Sequence, residues 1–274
     1  MDHTELVLRE ELCRAAQLLY QRGYVVGHDG NLSLRLGEDR ILITPSGVSK
    51  GRLEPGMLVV CDLEGRVRSG ERYPSSETAM HLLVYKERPD AGAVVHAHPP
   101  MATAFAIRRT PLREPYLTET VSGLGEVPVA PFAMPSTQEV PESIRPFAAH
   151  HSAVLLANHG ALAWGRDLWE AFDRMETVEQ TAKIYAWVQL LGGGVELTRE
   201  QTQGLLDLSG RYERLAGRRE PGKEDCHGRT GDPQRPPGGG GPERGPAGPA
   251  PAPQPGGVPP SDPASGHGGG HPVP

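Results

Sequence analysis

The chain of 274 residues has a formal net charge of −6 at neutral pH, with 34 acidic and 28 basic side chains. Proteins that bind nucleic acids neutralise phosphates with Lys and Arg, so this balance argues against that class of partner. The cysteines, Cys13, Cys61 and Cys226, are scattered and form no CxxC pair, which argues against a disulfide framework or a cysteine metal site. With no signal-peptide pattern and no apolar run long enough for a bilayer, we expect a cytoplasmic protein without a membrane partner.

Two parts of the chain differ sharply in composition. Residues 217–274 are rich in Pro and Gly and contain no Ile, Leu, Met, Phe, Tyr or Trp. Such a segment cannot bury enough apolar surface to offset the entropy of ordering the chain. It carries six basic and six acidic side chains, so the net charge belongs to residues 1–216. We predict one folded domain over residues 1–216 and a disordered tail over residues 217–274.

Apolar periodicity and turn residues predict helices and strands in mixed order over the folded part. Helices are expected at 6–23, at 75–88 opened by Ser75 or Ser76, from 99 toward 108, near 137–149, from the capping-box pair Asp167 and Glu170 to 192, and at 198–212. Short strands are expected at 32–36, 41–44, 58–62, 93–97, 127–130 and 153–156. The pattern predicts an α/β fold, a three-layer α/β/α arrangement with a mostly antiparallel central sheet.

Histidines are the most informative side chains of the sequence. His96 and His98 occupy positions i and i+2 of a predicted strand and therefore point to one face. His159, in an Asn-His-Gly turn, offers a third imidazole. Three neutral imidazoles with one open position are the usual ligand set of a catalytic zinc ion. A competing pair is Glu77 with His81, four residues apart on one helix face.

Glu77 is the candidate base, because it follows two serines at a predicted helix start, where anions are favoured. The simpler interpretation is a glutamate that only complements the helix dipole. Lys50, Lys86 and Lys183 are the candidates for a Schiff base, but none lies on a predicted strand in an apolar pocket.

Five short motifs in a fixed order carry a family resemblance. They are Gly30-Asn31, Thr44-Pro45-Ser46-Gly47, Pro74-Ser75-Ser76-Glu77, His96-Ala97-His98-Pro99 and Asn158-His159-Gly160. With them the chain resembles the class II aldolase/adducin-head family over roughly residues 5 to 215, and within it most resembles the L-fuculose-1-phosphate aldolases. The resemblance implies the same layered fold and a class II aldolase/adducin-like catalytic domain over residues 1–216.

The resemblance also implies roles for individual residues. His96, His98 and His159 would bind zinc, and Glu77 would move a proton at the carbon next to the substrate carbonyl. A phosphate would be held by Gly30, Asn31, Ser46, Gly47, Ser75 and Ser76. Tyr116 and Tyr212 would act as acid or base at the other end of the substrate, with Glu119 as a competing group.

The activity implied is that of a zinc-dependent aldehyde-lyase. It would cleave a ketose 1-phosphate, such as L-fuculose 1-phosphate or a related 5-deoxy or methylthio pentulose phosphate, to dihydroxyacetone phosphate and an aldehyde. The family forms homotetramers with the active site between subunits. Alternatives are a methylthioribulose-phosphate dehydratase, an epimerase or a decarboxylase on the same site. A non-catalytic adducin-like binding module is a further alternative and would be expected to have lost metal ligands.

Overall fold

The computed structural model describes residues 3–216, and the tail predicted over residues 217–274 lies outside them. The centre of the fold is an eight-stranded sheet with the order β4-β3-β2-β1-β5-β8-β7-β6. The strands are β1 Asn31–Leu36, β2 Arg40–Ile43, β3 Val59–Asp62, β4 Val67–Ser69, β5 Ala93–Ala97, β6 Val129–Ala130, β7 Ala153–Leu156 and β8 Gly160–Gly165. Every adjacent pair is antiparallel except β6 and β7. The predicted, mostly antiparallel sheet is therefore confirmed.

Six α-helices are described, and all six correspond to predicted ones. They are α1 His3–Gln21, α2 Thr78–Glu87, α3 Pro100–Arg108, α4 Glu139–Ala148, α5 Leu168–Leu190 and α6 Arg199–Ala216. The predicted cap of α5 is confirmed, because the carboxylate of Asp167 accepts a hydrogen bond from the backbone N–H of Glu170 at 2.9 Å. None of the described helices is long and apolar enough to cross a membrane.

Apolar side chains cover both faces of the sheet. Ile41 and Ile43 belong to one hydrophobic cluster, whereas Leu42 between them belongs to another. Residues of α1, α3 and α5 complete the cluster that contains Leu42, and residues of α2 and α4 complete the other. Successive side chains of a strand point to opposite faces, so a strand buried on both faces is a continuous apolar run.

Three elements differ from the prediction. Strands β4 and β8 were not expected, and β8 consists largely of Gly and Ala, which have low strand propensity. Its burial between two neighbouring strands outweighs that preference. Helix α2 begins at Thr78 with Glu77 at the N-cap, not with Ser75 or Ser76. Ser75 instead accepts a hydrogen bond from the backbone N–H of Glu77 at 3.2 Å, in the turn before the helix.

The central strands bring distant motifs together. Strand β5 lies between β1 and β8, with Asn31 directly opposite His96 on one side and Leu162 opposite His96 on the other. The Gly-Asn motif, the His-Ala-His motif and the Asn-His-Gly turn therefore meet at one end of three adjacent strands.

Candidate metal centre

Three histidine side chains converge at this end of the sheet. His96 lies in β5, His98 directly follows it, and His159 lies in the turn between β7 and β8. The centroids of the three rings lie 4.8 to 5.0 Å from one another. Their potential ligand nitrogen atoms all lie within 4.8 Å of one another. The structure thus brings together the three residues predicted to bind a metal.

The tautomer of His96 suits metal binding. Its Nδ1 lies 2.9 Å from the carbonyl oxygen of Ala161, to which it donates, so that Nε2 carries the lone pair. That Nε2 lies 3.1 Å from Nε2 of His98. Burial, together with the neighbouring His98 and His159, holds the pKa of His96 well below its ordinary value, and burial also lowers the pKa of His98. Neutral imidazoles fixed by a backbone carbonyl are the form that binds a metal ion.

The carboxylate of Glu77 faces these rings. Its Oε2 lies 3.3 Å from Nε2 of His96, and its Oε1 lies 3.5 Å from Nε2 of His159. Within the described residues Oε1 is buried and has no hydrogen-bond partner. A buried polar atom without a partner costs free energy, and a cation between the carboxylate and the rings would compensate it. The donor set fits a Zn²⁺ ion.

A buried chain of hydrogen bonds holds Glu77. Nδ2 of Asn31 donates to Oε2 of Glu77 at 2.9 Å, and Oδ1 of Asn31 accepts from Nε2 of His81 at 2.6 Å. Nδ1 of His81 accepts from Oγ of Ser33 at 2.7 Å, and that Oγ lies 2.9 Å from the hydroxyl of Tyr85. Burial lowers the pKa of His81 to about 3, so its ring is neutral. Both ring nitrogens are used, which leaves none for the alternative metal pair of Glu77 with His81.

The buried chain of hydrogen bonds predicts a distinct effect of Asn31→Ala. Removing a hydrogen bond to a charged group costs about 1.5–3 kcal/mol, so we expect kcat to fall about 10- to 100-fold because Glu77 is no longer held. Zinc content and the KM for a phosphorylated substrate should stay near the wild-type values. Steady-state kinetics and metal analysis measure all three. Ser33→Ala, two hydrogen bonds further from Glu77, is the control and should lose less. A raised KM with unchanged kcat would contradict this role and favour direct contact of Asn31 with phosphate.

Two glycines let neighbouring chain segments pass close to β5, the strand that contains His96. Gly30 has a φ of +68°, a left-handed conformation that glycine adopts readily, and a Cβ there would lie 2.8 Å from the carbonyl oxygen of His96. A Cβ on Gly160 would lie 2.6 Å from Cδ2 of His98. Both contacts are too short for a side chain, so these glycines are needed for the close packing around the centre.

A cavity of about 200 Å³ adjoins the centre. It is lined by Glu77, His98 and His159, while His96 is fully buried. The lining also includes every residue that was predicted to hold a phosphate, namely Gly30, Asn31, Ser46, Gly47, Ser75 and Ser76. Hydroxyl groups beside the histidines give this cavity the polar character that a phosphate requires.

Other predicted residues lie elsewhere. The ring of Tyr116 packs against Tyr185 with a centroid distance of 5.2 Å, and Glu119 is exposed and accepts a hydrogen bond from Oγ1 of Thr118 at 2.8 Å. Neither Tyr116 nor Glu119 lines the cavity. The side chain of Tyr212 lies outside the part of the chain that the structure describes.

Several lining residues were not predicted. His28, Asp29, Lys50, Pro135 and Ser136 all line the cavity. Oδ2 of Asp29 lies 3.7 Å from Nδ1 of His98. The adjacency of Asp29 to the Gly-Asn motif and the position of Lys50 shortly after Ser46-Gly47 were the available signals.

The fold is shared with solved class II aldolases. An L-fuculose 1-phosphate aldolase structure superimposes with a TM-score of 0.69 at 36% sequence identity, covering 73% of this chain and 95% of the other. The family model of the class II aldolase and adducin N-terminal domain matches residues 10–186. The chain belongs to this family.

Two relatives differ in the reaction that their names describe. The 3-oxo-tetronate 4-phosphate decarboxylase of Haemophilus influenzae is 37% identical over 190 residues, which cover 68% of this chain and 90% of the relative. The 5-methylthioribulose-1-phosphate/5-deoxyribulose-1-phosphate aldolase of Rhodospirillum rubrum is 37% identical over 185 residues, which cover 68% of this chain and 83% of the relative. Relatives of this family thus include both a decarboxylase and an aldolase of small phosphorylated compounds.

Proposed function

We propose that this protein is a zinc-dependent lyase that releases CO₂ from a phosphorylated 3-oxo sugar acid such as 3-oxo-tetronate 4-phosphate. The observation that carries the proposal is the arrangement of His96, His98, His159 and Glu77 beside a hydroxyl-lined cavity. Similarity to the Haemophilus influenzae decarboxylase supports the choice of substrate.

The residues divide the chemistry between them. His96, His98 and His159 would hold the metal, which when bound supplies a Lewis acid that withdraws electron density from the substrate carbonyl. The hydroxyl groups of Ser46 and Ser76 would donate to the phosphate and fix the substrate at its far end. These contacts orient the carbonyl toward the histidines before any bond breaks, and such positioning lowers the barrier.

Decarboxylation requires a proton donor, and Glu77 is the candidate for this role. When the bond between C1 and C2 breaks, CO₂ departs without the electron pair, and the pair is delocalised toward the oxygen on C3. C2 must then gain a proton, and the product is dihydroxyacetone phosphate. Glu77, which faces the rings, would take up a proton from water and deliver it to C2, in the role of general acid.

Retro-aldol cleavage is the second candidate, because it shares this half of the reaction. Cleavage of a ketose 1-phosphate also leaves dihydroxyacetone phosphate and also needs a proton at the carbon next to its carbonyl. The similarity to the Rhodospirillum rubrum aldolase and to the L-fuculose 1-phosphate aldolase structure favours it. The aldehyde end then needs a second group to take the hydroxyl proton. Tyr116 or Tyr212 of a neighbouring subunit in the predicted homotetramer would have to supply it, whereas release of CO₂ needs no such group.

A panel of three substrates tests the proposal. We expect kcat/KM for 3-oxo-tetronate 4-phosphate to exceed that for L-fuculose 1-phosphate and 5-methylthioribulose 1-phosphate by about 100-fold or more, because the site discriminates by the reacting end of the substrate. Dihydroxyacetone phosphate release, followed by NADH-coupled reduction, serves for all three, and CO₂ is captured separately. The His96→Ala/His98→Ala protein measures contaminating activity. Faster release from a ketose 1-phosphate, without CO₂, would establish the aldolase, and no turnover by the zinc-loaded protein would favour the adducin-like alternative.

A further inference from the structure

Lys50 is a buried cation at the wall of the cavity. Its side chain is 2% exposed, although lysine is rarely buried without a charged partner. Nζ donates to the carbonyl oxygen of His28 at 2.7 Å and to that of Val48 at 3.1 Å. No carboxylate among the described residues lies within ion-pair distance of it. An ammonium group has three N–H donors, so one remains beyond these two carbonyls.

The charges around the cavity give this position its significance. Lys50 is the one Lys or Arg among the described residues that line it, and the lining carboxylates are Asp29 and Glu77. Without Lys50 the lining would contain two acidic side chains and no basic one, which disfavours binding of a phosphate dianion. Burial lowers the pKa of Lys50 to about 8, so the amine remains mostly charged at neutral pH. It is therefore a donor to anions rather than a nucleophile under those conditions.

The loops that contact Lys50 are those that form the phosphate site. His28 immediately precedes the Asp29-Gly30-Asn31 segment, and Val48 immediately follows Ser46-Gly47. Each of these segments lines the cavity. The ammonium group thus links the two segments by donating a hydrogen bond to each of them.

We propose that Lys50 binds the phosphate group of the substrate through its ammonium group. The inference rests on the proposed function, because it takes the substrate to be a phosphate monoester. It adds a charged contact to a site for which the sequence indicated only neutral donors. The competing interpretation is that Lys50 only ties the His28 and Val48 segments together.

Phosphate binding by the full-length, zinc-loaded protein separates these two roles. Inorganic phosphate is titrated calorimetrically in the presence of saturating acetohydroxamate, a chelator that occupies the metal and carries no phosphate. Lys50→Met keeps the length of the side chain and removes its charge. Lys86→Met, at an exposed position of α2, is the matched control. Loss of a hydrogen bond to a charged group predicts that Lys50→Met weakens phosphate binding about 10- to 100-fold, while Lys86→Met matches the wild type.

The outcomes are distinct. Weaker phosphate binding by Lys50→Met, with unchanged zinc content and unchanged acetohydroxamate affinity, supports the proposal. Wild-type phosphate affinity overturns it, and the role of Lys50 is then only to link the His28 and Val48 segments by hydrogen bonds. Loss of zinc or of acetohydroxamate binding together with phosphate binding also overturns it, because the effect would then lie at the histidines.

A second measurement needs no variant and stays informative if Lys50→Met does not fold. Acetylation of the wild-type protein by acetic anhydride is followed by mass spectrometry, with and without phosphate. We expect phosphate to slow acetylation of Lys50 and not of Lys86, and equal rates at Lys50 would contradict the proposal.

If phosphate protects Lys50 but no substrate of the panel is turned over, the proposed function alone fails. If the substrates of the panel are turned over, but phosphate does not protect Lys50 and phosphate binding does not depend on Lys50, this inference alone fails.

Discussion

Glu77→Gln is expected to lower turnover about 100-fold or more, the usual contribution of general acid–base catalysis, while zinc content and thermal stability stay near the wild-type values. Glutamine keeps the shape of the side chain and can still pair with Asn31, but it cannot transfer the proton. The measurements are steady-state kinetics and metal analysis. The control is Glu87→Gln, at the other end of the same helix, whose carboxylate pairs with Arg145 away from the cavity.

A half-reaction makes this test specific for the proton-transfer step. Exchange of a C3 proton of dihydroxyacetone phosphate with deuterated water requires neither CO₂ nor an aldehyde. We expect this exchange to fall in parallel with turnover in Glu77→Gln. Wild-type exchange in the variant would contradict the role of Glu77 and direct the search to Asp29, the other carboxylate that lines the cavity.

The second large effect is expected for the double variant His96→Ala/His98→Ala. Loss of an outer-shell partner of a metal ligand typically costs about 10- to 100-fold in metal affinity, and removing two of three ligands should cost more. We therefore expect the purified variant to hold almost no zinc and to have no activity, with the fold retained as judged by circular dichroism. Inductively coupled plasma mass spectrometry gives the zinc content. His150→Ala, at an exposed position, is the control. Full zinc occupancy in the double variant would exclude these histidines as the ligands.

Much of the centre could be predicted because it depends on local periodicity. His96 and His98 share a face wherever a strand forms, and the buried strand 93–97 was evident from its apolar run. His159 and Glu77 were indicated by short motifs that stand in the same order as in the family. Their mutual distances required the sheet, since β1, β5 and β8 come from separate parts of the chain.

The remainder could not be predicted because it depends on tertiary contacts. Asn31 and His81 lie far apart in sequence, and only the packing of α2 against the sheet places the imidazole 2.6 Å from the amide oxygen. Lys50 lies in a polar Gly- and Ser-containing segment that indicates an exposed loop, yet its side chain is buried and donates to the carbonyl oxygen of His28. Tyr116 was assigned from the family resemblance, and in the structure its ring packs against Tyr185 away from the cavity.

The measurement that tests the central claim most directly is the location of the metal in crystals of the full-length protein, from anomalous scattering on the two sides of the zinc absorption edge. We predict one strong zinc peak per subunit, enclosed by the imidazole rings of His96, His98 and His159 and facing Glu77. A zinc peak at another site, or none at this site in protein crystallised with zinc, would contradict the account.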